Sequence, residues 1–330
     1  MNRSLLFTIM TVLTLLSCFE EDERVGSYEG KVTLIADSVQ LYQSFFDFET
    51  GRVVKSVSID SWHLGFECGE TGWHIVTNSG AGWFIFNTGQ TLPDAAENMP
   101  ESIDHLFDMP SLFPDSTAVG DWVSFEENAK VYSHNLYLLG YHTGDHFTGI
   151  KRIVFLEVND SAYRFFYKEQ ISGKTDTITV IKDESVNYVY YDFESNQQVT
   201  LEPDKSEWDL AFGPYYDLAT LFGVTIPYLV GGSFLNEGQT EAVLDSVTSF
   251  QDIKISMVSD YQFMHQRDIP GYKWKGVTVD VTGGSASYAV KSHYNYIFHT
   301  SANNFYKLKF LSYTLDGRSG FPQFEFERLE

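Results

Sequence analysis

From about residue 30 onward, apolar residues recur at every second position or gather in short runs bounded by Gly, Asp, Asn and Ser. Alternation of this kind puts every other side chain on a buried face and marks strands rather than helices. Lys31-Val32-Thr33-Leu34-Ile35, Gly82-Trp83-Phe84-Ile85-Phe86 and Tyr163-Arg164-Phe165-Phe166-Tyr167 carry the pattern. So do Thr177-Ile178-Thr179-Val180-Ile181, Tyr188-Val189-Tyr190-Tyr191 and Lys307-Leu308-Lys309-Phe310-Leu311. β-branched and aromatic residues dominate these runs, as a half-buried pleated surface favours. Helical spacing is scarce, and only Asp94 to Leu106 and Asp217 to Phe222 allow a turn or two. The pattern predicts an all-β chain of antiparallel strands.

The same landmarks occur twice, in the same order. Thr33-Leu34-Ile35, Asp47-Phe48-Glu49-Thr50 and Trp62-His63-Leu64-Gly65-Phe66 are answered by Thr179-Val180-Ile181, Asp192-Phe193-Glu194-Ser195 and Trp208-Asp209-Leu210-Ala211-Phe212. The offset is 145 residues at the Asp-Phe pair and 146 at the Trp. Gly120-Asp121-Trp122 before Ser133-His134-Asn135 matches Gly271-Tyr272-Lys273-Trp274 before Ser292-His293-Tyr294. Paired strands close each copy, around Ile150 to Val158 and Phe305 to Tyr313. Repetition at a fixed offset is the mark of a duplicated unit. Two tandem β domains are expected, over residues 30–178 and 179–330.

The first 29 residues do not share the pattern. Leu5 to Leu16 form an apolar stretch after a single Arg, too short for a stable membrane span. The stretch ends in Leu15-Leu16-Ser17-Cys18, which resembles the lipobox of bacterial lipoproteins. Residues 1–17 are then a signal peptide and Cys18 the lipidated terminus. Residues 18–29 follow as an acidic tether, opening Phe19-Glu20-Glu21-Asp22-Glu23, and this resembles the export tag of surface-displayed lipoproteins. An outer-membrane, lipid-anchored and surface-exposed protein is expected, touching the membrane only through its anchor.

Composition narrows the partners. Against 22 Lys and Arg stand 45 Asp and Glu, a net charge of −23 over 330 residues. Nucleic acid is excluded as a partner, because there is no cationic surplus to displace phosphate counterions. With 43% hydrophobic residues, the chain has enough apolar side chains to fill a core, so the acidity does not signal disorder. Two cysteines build neither a disulfide framework nor a zinc site. Nucleotide-binding, metalloprotease and nucleophile-elbow motifs are absent from the sequence, and a non-catalytic protein is expected. Asp209 has no second carboxylate at glycosidase spacing and reads as a structural hydrogen-bonding group.

Lys205-Ser206-Glu207-Trp208-Asp209-Leu210-Ala211-Phe212 and the closing Tyr306-Lys307-Leu308-Lys309-Phe310-Leu311-Ser312-Tyr313 resemble the HmuY-like family of bacterial haem-binding lipoproteins. Gly317 and Gly320-Phe321-Pro322 extend the likeness, and Trp62 to Phe66 carry a weaker copy of it. The resemblance implies an all-β surface protein that captures haem for iron acquisition. It also implies haem, or a haem-carrying protein, as partner and an outer-membrane receptor downstream. Two axial side chains, His in some members and Met in others, hold the iron. A glycan- or protein-binding surface module using exposed Tyr and Trp, or a structural spacer in an outer-membrane complex, are the other readings of the same chain.

Haem needs two axial donors and flat apolar walls. His105 and His134 lie 29 residues apart in the first copy, and His265 and His293 lie 28 apart in the second. These pairs are the candidate iron ligands, with Met109 and Met264 beside them as substitute donors. The propionates of haem are anionic and the chain is short of cations, so the expected pocket leans on axial ligation and aromatic walls. His63, Cys68 and His74 are expected to be structural, and His142 and His146 to flank a hairpin turn.

Overall fold

The computed structural model describes residues 30–33, 38–92, 94, 97–112, 116–127, 129–221, 223–280 and 285–330. The expected signal peptide, Cys18 and the acidic tether lie outside the described residues. Within them the regular structure is almost entirely antiparallel strands, numbered here in chain order. One five-stranded sheet has the order β12 (Thr175–Ile181), β11 (Ala162–Glu169), β10 (His146–Val158), β9 (Leu136–Thr143), β6 (Trp83–Asn87). Its counterpart has the order β1 (Gly30–Thr33), β22 (Arg318–Arg328), β21 (Phe305–Leu315), β20 (Asn295–His299), β17 (Glu241–Asp245). Each faces a four-stranded sheet. These are β14 (Gln197–Val199), β13 (Tyr188–Asp192), β4 (Leu64–Glu67), β5 (Ile75–Thr77), and β3 (Arg52–Ser58), β2 (Tyr42–Asp47), β15 (Leu210–Leu221), β16 (Val224–Leu235). A two-stranded ribbon completes each half: β7 (Val123–Glu126) with β8 (Ala129–Tyr132), and β18 (Lys275–Asp280) with β19 (Ser285–Val290).

The two halves therefore share one strand order, but they do not follow a division between residues 178 and 179. The hairpin β2–β3, early in the chain, pairs with β15, Phe46 opposite Leu210 and Phe45 opposite Ala211. Reciprocally, β13 pairs with β4, Tyr191 opposite Leu64 and Tyr190 opposite Gly65. The outer strands are exchanged as well, since β1 adds to β22 and β12 to β11. One half is thus residues 64–199. The other joins residues 30–58 to 210–330.

Alternating burial fills a separate core in each half. Leu64, Phe66, Trp122, Phe155 and Phe165 pack with Tyr191 and Phe193, which follow the midpoint of the repeat. Phe212, Trp274, Phe310 and Phe324 pack with Phe46 and Phe48 from the start of the chain. Burying a Phe side chain contributes roughly 2–3 kcal/mol, so each exchanged hairpin is held by its aromatic residues as well as by its ladder.

Equivalent hydrogen bonds lock both exchanges. Asp209 Oδ2 accepts from the Phe48 amide at 2.9 Å, and His63 Nδ1 accepts from the Phe193 amide at 3.2 Å. His63 Nδ1 also lies 3.1 Å from Asp192 Oδ1, so the ring chooses between accepting from Phe193 and donating to Asp192. Burial keeps the ring neutral and lowers its pKa to about 4, so the choice is between its two tautomers. Asp209 and His63 are structural, as expected. Cys68 is buried, its sulfur accepting from the Asp183 amide at 3.3 Å, and His74 Nδ1 meets Glu67.

The helical turns expected near Asp217 are not formed. Asp217 to Leu221 continue β15, paired across to β16 as Leu218–Pro227, Ala219–Ile226 and Thr220–Thr225. A twelve-residue ladder outweighs the weak local preference of Asp-Leu-Ala-Thr-Leu. No α-helix occurs among the described residues from 94 to 106 either, where turns and extended chain are found.

Candidate functional site

The halves differ most in one hairpin. In the first half, β4 and β5 are short, with four and three residues. The corresponding β15 and β16 each run for twelve residues and project beyond the sheet. Against this long hairpin stands the β18–β19 ribbon, and a cavity of about 350 Å³ lies between them. Pro214, Tyr228, Leu229, Val230 and Gly231 form the hairpin wall. Tyr272, Lys275, Val277 and Tyr288 form the ribbon wall, with Tyr313 of β21 and Gln40 completing the lining. The volume lies in the range of small-molecule pockets, and the walls are apolar or phenolic.

Local sequence explains the shape. A Cβ on Gly231 would overlap the Tyr313 hydroxyl and stand 2.6 Å from Val39 Cγ2. Gly232 is bare for the same reason, since a Cβ there would stand 2.5 Å from the Tyr215 hydroxyl. The glycine pair lets two tyrosines cross close to β16. Tyr288 meets Tyr313 edge-on at 4.8 Å, and Tyr313 meets Trp274 at 5.8 Å.

Lys275 is the one cationic group among the described residues of this lining and is 9% exposed. Its Nζ donates to the Gly231 carbonyl at 2.6 Å and lies 4.2 Å from the Tyr313 ring centre and 4.6 Å from that of Trp274. Desolvation lowers its pKa to about 7. Burial pushes the Tyr228, Tyr272 and Tyr313 phenols upward, so they remain protonated at neutral pH. In the first half, Val123 follows the buried Trp122 where Lys275 follows Trp274.

None of the six residues singled out by sequence spacing lines this cavity. His265 is exposed, and its Nε2 sits 2.7 Å from Glu241 Oε1, while Glu241 Oε2 lies 3.3 Å from His299 Nδ1. The Met264 backbone bridges to Ala242, and its side chain is exposed. His293 is exposed beside Tyr294 and edges a shallow depression with Val247 and Lys309. His105 and His134 are exposed and adopt φ of 62° and 49°, turn positions in the left-handed region where His is enriched. His134 Nε2 lies 3.1 Å from the Leu156 carbonyl. Met109 packs against Phe84, Leu106 and Phe107 and edges a cleft of only about 70 Å³. His142 and His146 flank the β9–β10 turn, as expected.

That cleft lies where the halves meet and holds the Arg267 guanidinium 4.2 Å from the Phe234 ring centre. Asp108 beside it accepts from the Thr77 amide at 2.6 Å and the Ala118 amide at 2.8 Å, and burial raises its pKa to about 7. Glu202 accepts from the amides of Asn187 and Tyr188 and is raised to about 7 for the same reason. All of these donors belong to the first half, so the two carboxylates hold together that half's side of the junction.

Residues 184–326 match the family model described as HmuY protein. That segment is HmuY-like. The matched segment runs from the approach to β13 into β22 and contains every lining residue of the cavity except Gln40. Among solved structures, the apo HmuY analogue of Tannerella forsythia is similar over 92% of this chain and 96% of its own, at 9% identity and a TM-score of 0.29. A candidate lipoprotein from Bacteroides fragilis aligns over 53% of this chain and 88% of its own, at 13% identity and a TM-score of 0.22. An HmuY-like candidate haem-binding protein from Bacteroides vulgatus aligns over 53% and 90%, at 16% identity and a TM-score of 0.17. No curated protein matches the chain.

Proposed function

We propose that this HmuY-like chain is a non-catalytic binding protein for haem or a closely related porphyrin, displayed from the bacterial outer membrane through a lipid on Cys18. The observation that carries the reading is the aromatic-walled cavity between β15–β16 and β18–β19, inside the HmuY-matched segment. Its tyrosines offer flat apolar surface to a macrocycle, and its open side accepts a ligand larger than the cavity. The first half has short strands where the long hairpin stands, so the reading places the ligand in the second half. Capture and hand-over, rather than chemistry, fit a site without a nucleophile and base in contact.

Titration of the full chain with haemin tests this. Binding appears as a saturable change in the haemin absorbance and as quenching of tyrosine and tryptophan emission, both weakened by Tyr288→Ala. A spectrum equal to free haemin at every ratio refutes the reading. Saturable binding of a polysaccharide that Tyr288→Ala abolishes, with no haemin effect, reassigns the cavity to sugars.

A further inference from the structure

We infer that the cavity recognises the ring face and a carboxylate of its ligand through the tyrosines and Lys275, and that a metal at the ligand's centre is not required. This rests on the porphyrin reading above and deepens it. An ammonium has three donors, and the Gly231 carbonyl takes one of Lys275's. Among the described residues, no carboxylate pairs with it, although Asp and Glu outnumber Lys and Arg twofold in the chain. A buried ammonium without a counter-charge is unfavourable. An incoming carboxylate supplies that charge, and the rings of Tyr313 and Trp274 fix the direction from which it arrives.

The metal side of the argument rests on the lining itself, which among the described residues contains no His, Met or Cys. The other side-chain oxygens belong to Gln40 and to tyrosines, and burial of Tyr228, Tyr272 and Tyr313 favours the neutral phenol, which is a poor ligand compared with phenolate. Ring stacking and the ammonium remain, and neither senses whether iron is present. The sequence offered the opposite expectation, a pocket without cations relying on axial donors.

The test compares haemin with metal-free protoporphyrin IX and with the dimethyl ester of protoporphyrin IX, on the full chain and on Lys275→Met. Far-ultraviolet circular dichroism and a urea melt monitor the fold of the variant. Haemin and metal-free protoporphyrin are expected to bind the wild type within about threefold of one another. The dimethyl ester is expected to bind at least tenfold more weakly. Lys275→Met is expected to lose tenfold or more for both acids while leaving the ester unchanged. Haemin binding thirtyfold or more tighter than the metal-free acid overturns the inference and leaves the porphyrin reading standing. Equal binding of acid and ester by the wild type overturns the role of Lys275 even if the variant fails to fold. Absence of binding by all three ligands overturns the porphyrin reading together with the inference.

Discussion

Asp209 fastens the exchanged hairpin, and replacing it separates two opposing contributions that pH can switch. The residue is 4% exposed, and its oxygens accept from the Phe48 amide at 2.9 Å and the Thr240 hydroxyl at 3.1 Å. Desolvation, with Asp47 nearby, raises its pKa from 3.8 to about 7. The folded chain therefore holds this proton up to about pH 7, whereas the unfolded chain releases it near 3.8. Stability from this group is fully present below about pH 3.8 and is lost as pH rises through 7, by about 4 kcal/mol in all, of which roughly 3 kcal/mol falls between pH 5 and pH 8. Asp209→Asn keeps an acceptor for Phe48 and presents a donor to Thr240 without the ionisation. It is expected to exceed the wild type by about 1–2 kcal/mol at pH 5 and by about 4 kcal/mol at pH 8. Asp209→Ala leaves two buried donors unsatisfied and is expected to cost about 2–5 kcal/mol at pH 5, less at pH 8. Urea melts followed by tryptophan emission provide the assay, since Trp122 and Trp274 are buried in one core each. If wild type and Asp209→Asn differ equally at pH 5 and pH 8, the carboxyl does not carry the buried charge assigned to it.

His63 should show the opposite dependence. Its pKa is lowered to about 4, so its contribution is present above 6.5 and lost as pH falls, by about 3 kcal/mol at most. His63→Asp, the residue at the equivalent position of the second copy, is expected to reverse that slope in the same melts. Gly231→Ala forces a methyl against Tyr313 and Val39 and should destabilise by about 1–3 kcal/mol while weakening haemin binding. Phe48→Ala should cost about 3–5 kcal/mol and affect the second-half core, reported by Trp274, although residue 48 lies in the first copy of the sequence. His265→Ala and His293→Ala should leave the haemin titration unchanged, because neither residue lines the cavity; a tenfold loss in either refutes the placement.

Strands were legible wherever side chains alternate between core and solvent, as in Trp83–Asn87 and Ala162–Glu169, because burial enforces a period of two. Asp209 was legible too, as a polar group at the start of an apolar strand. The exchange of hairpins was not. The copies are alike at their landmarks, so β4 finds acceptable partners in either β2 or β13, and no local signal separates the arrangements. Histidine spacing pointed to His105, His134, His265 and His293, yet two of these occupy left-handed turn positions whose demands are conformational. Lys275 went unnoticed because a lysine beside a tryptophan reads as a surface residue. What marks it is three-dimensional: a second-half hairpin long enough to cover it. The bare pair Gly231-Gly232 in β16 was the sequence signal that could have drawn attention to that wall.

The reciprocal placement of β2–β3 and β13–β14 makes the molecule a clasp. Cutting the chain between residues 178 and 179 would give two fragments, each carrying the hairpin that completes the other's core, so neither would be a finished body and the two together would be. A matched pair of such fragments should reassemble, whereas the HmuY-matched segment 184–326 taken by itself lacks Phe46 and Phe48 and exposes the edge of β15. Loss of either stretch of sequence removes a wall from the half that its hairpin completes. The exchange therefore acts as a mutual scaffold, in which the early part of the chain completes the half that has the cavity.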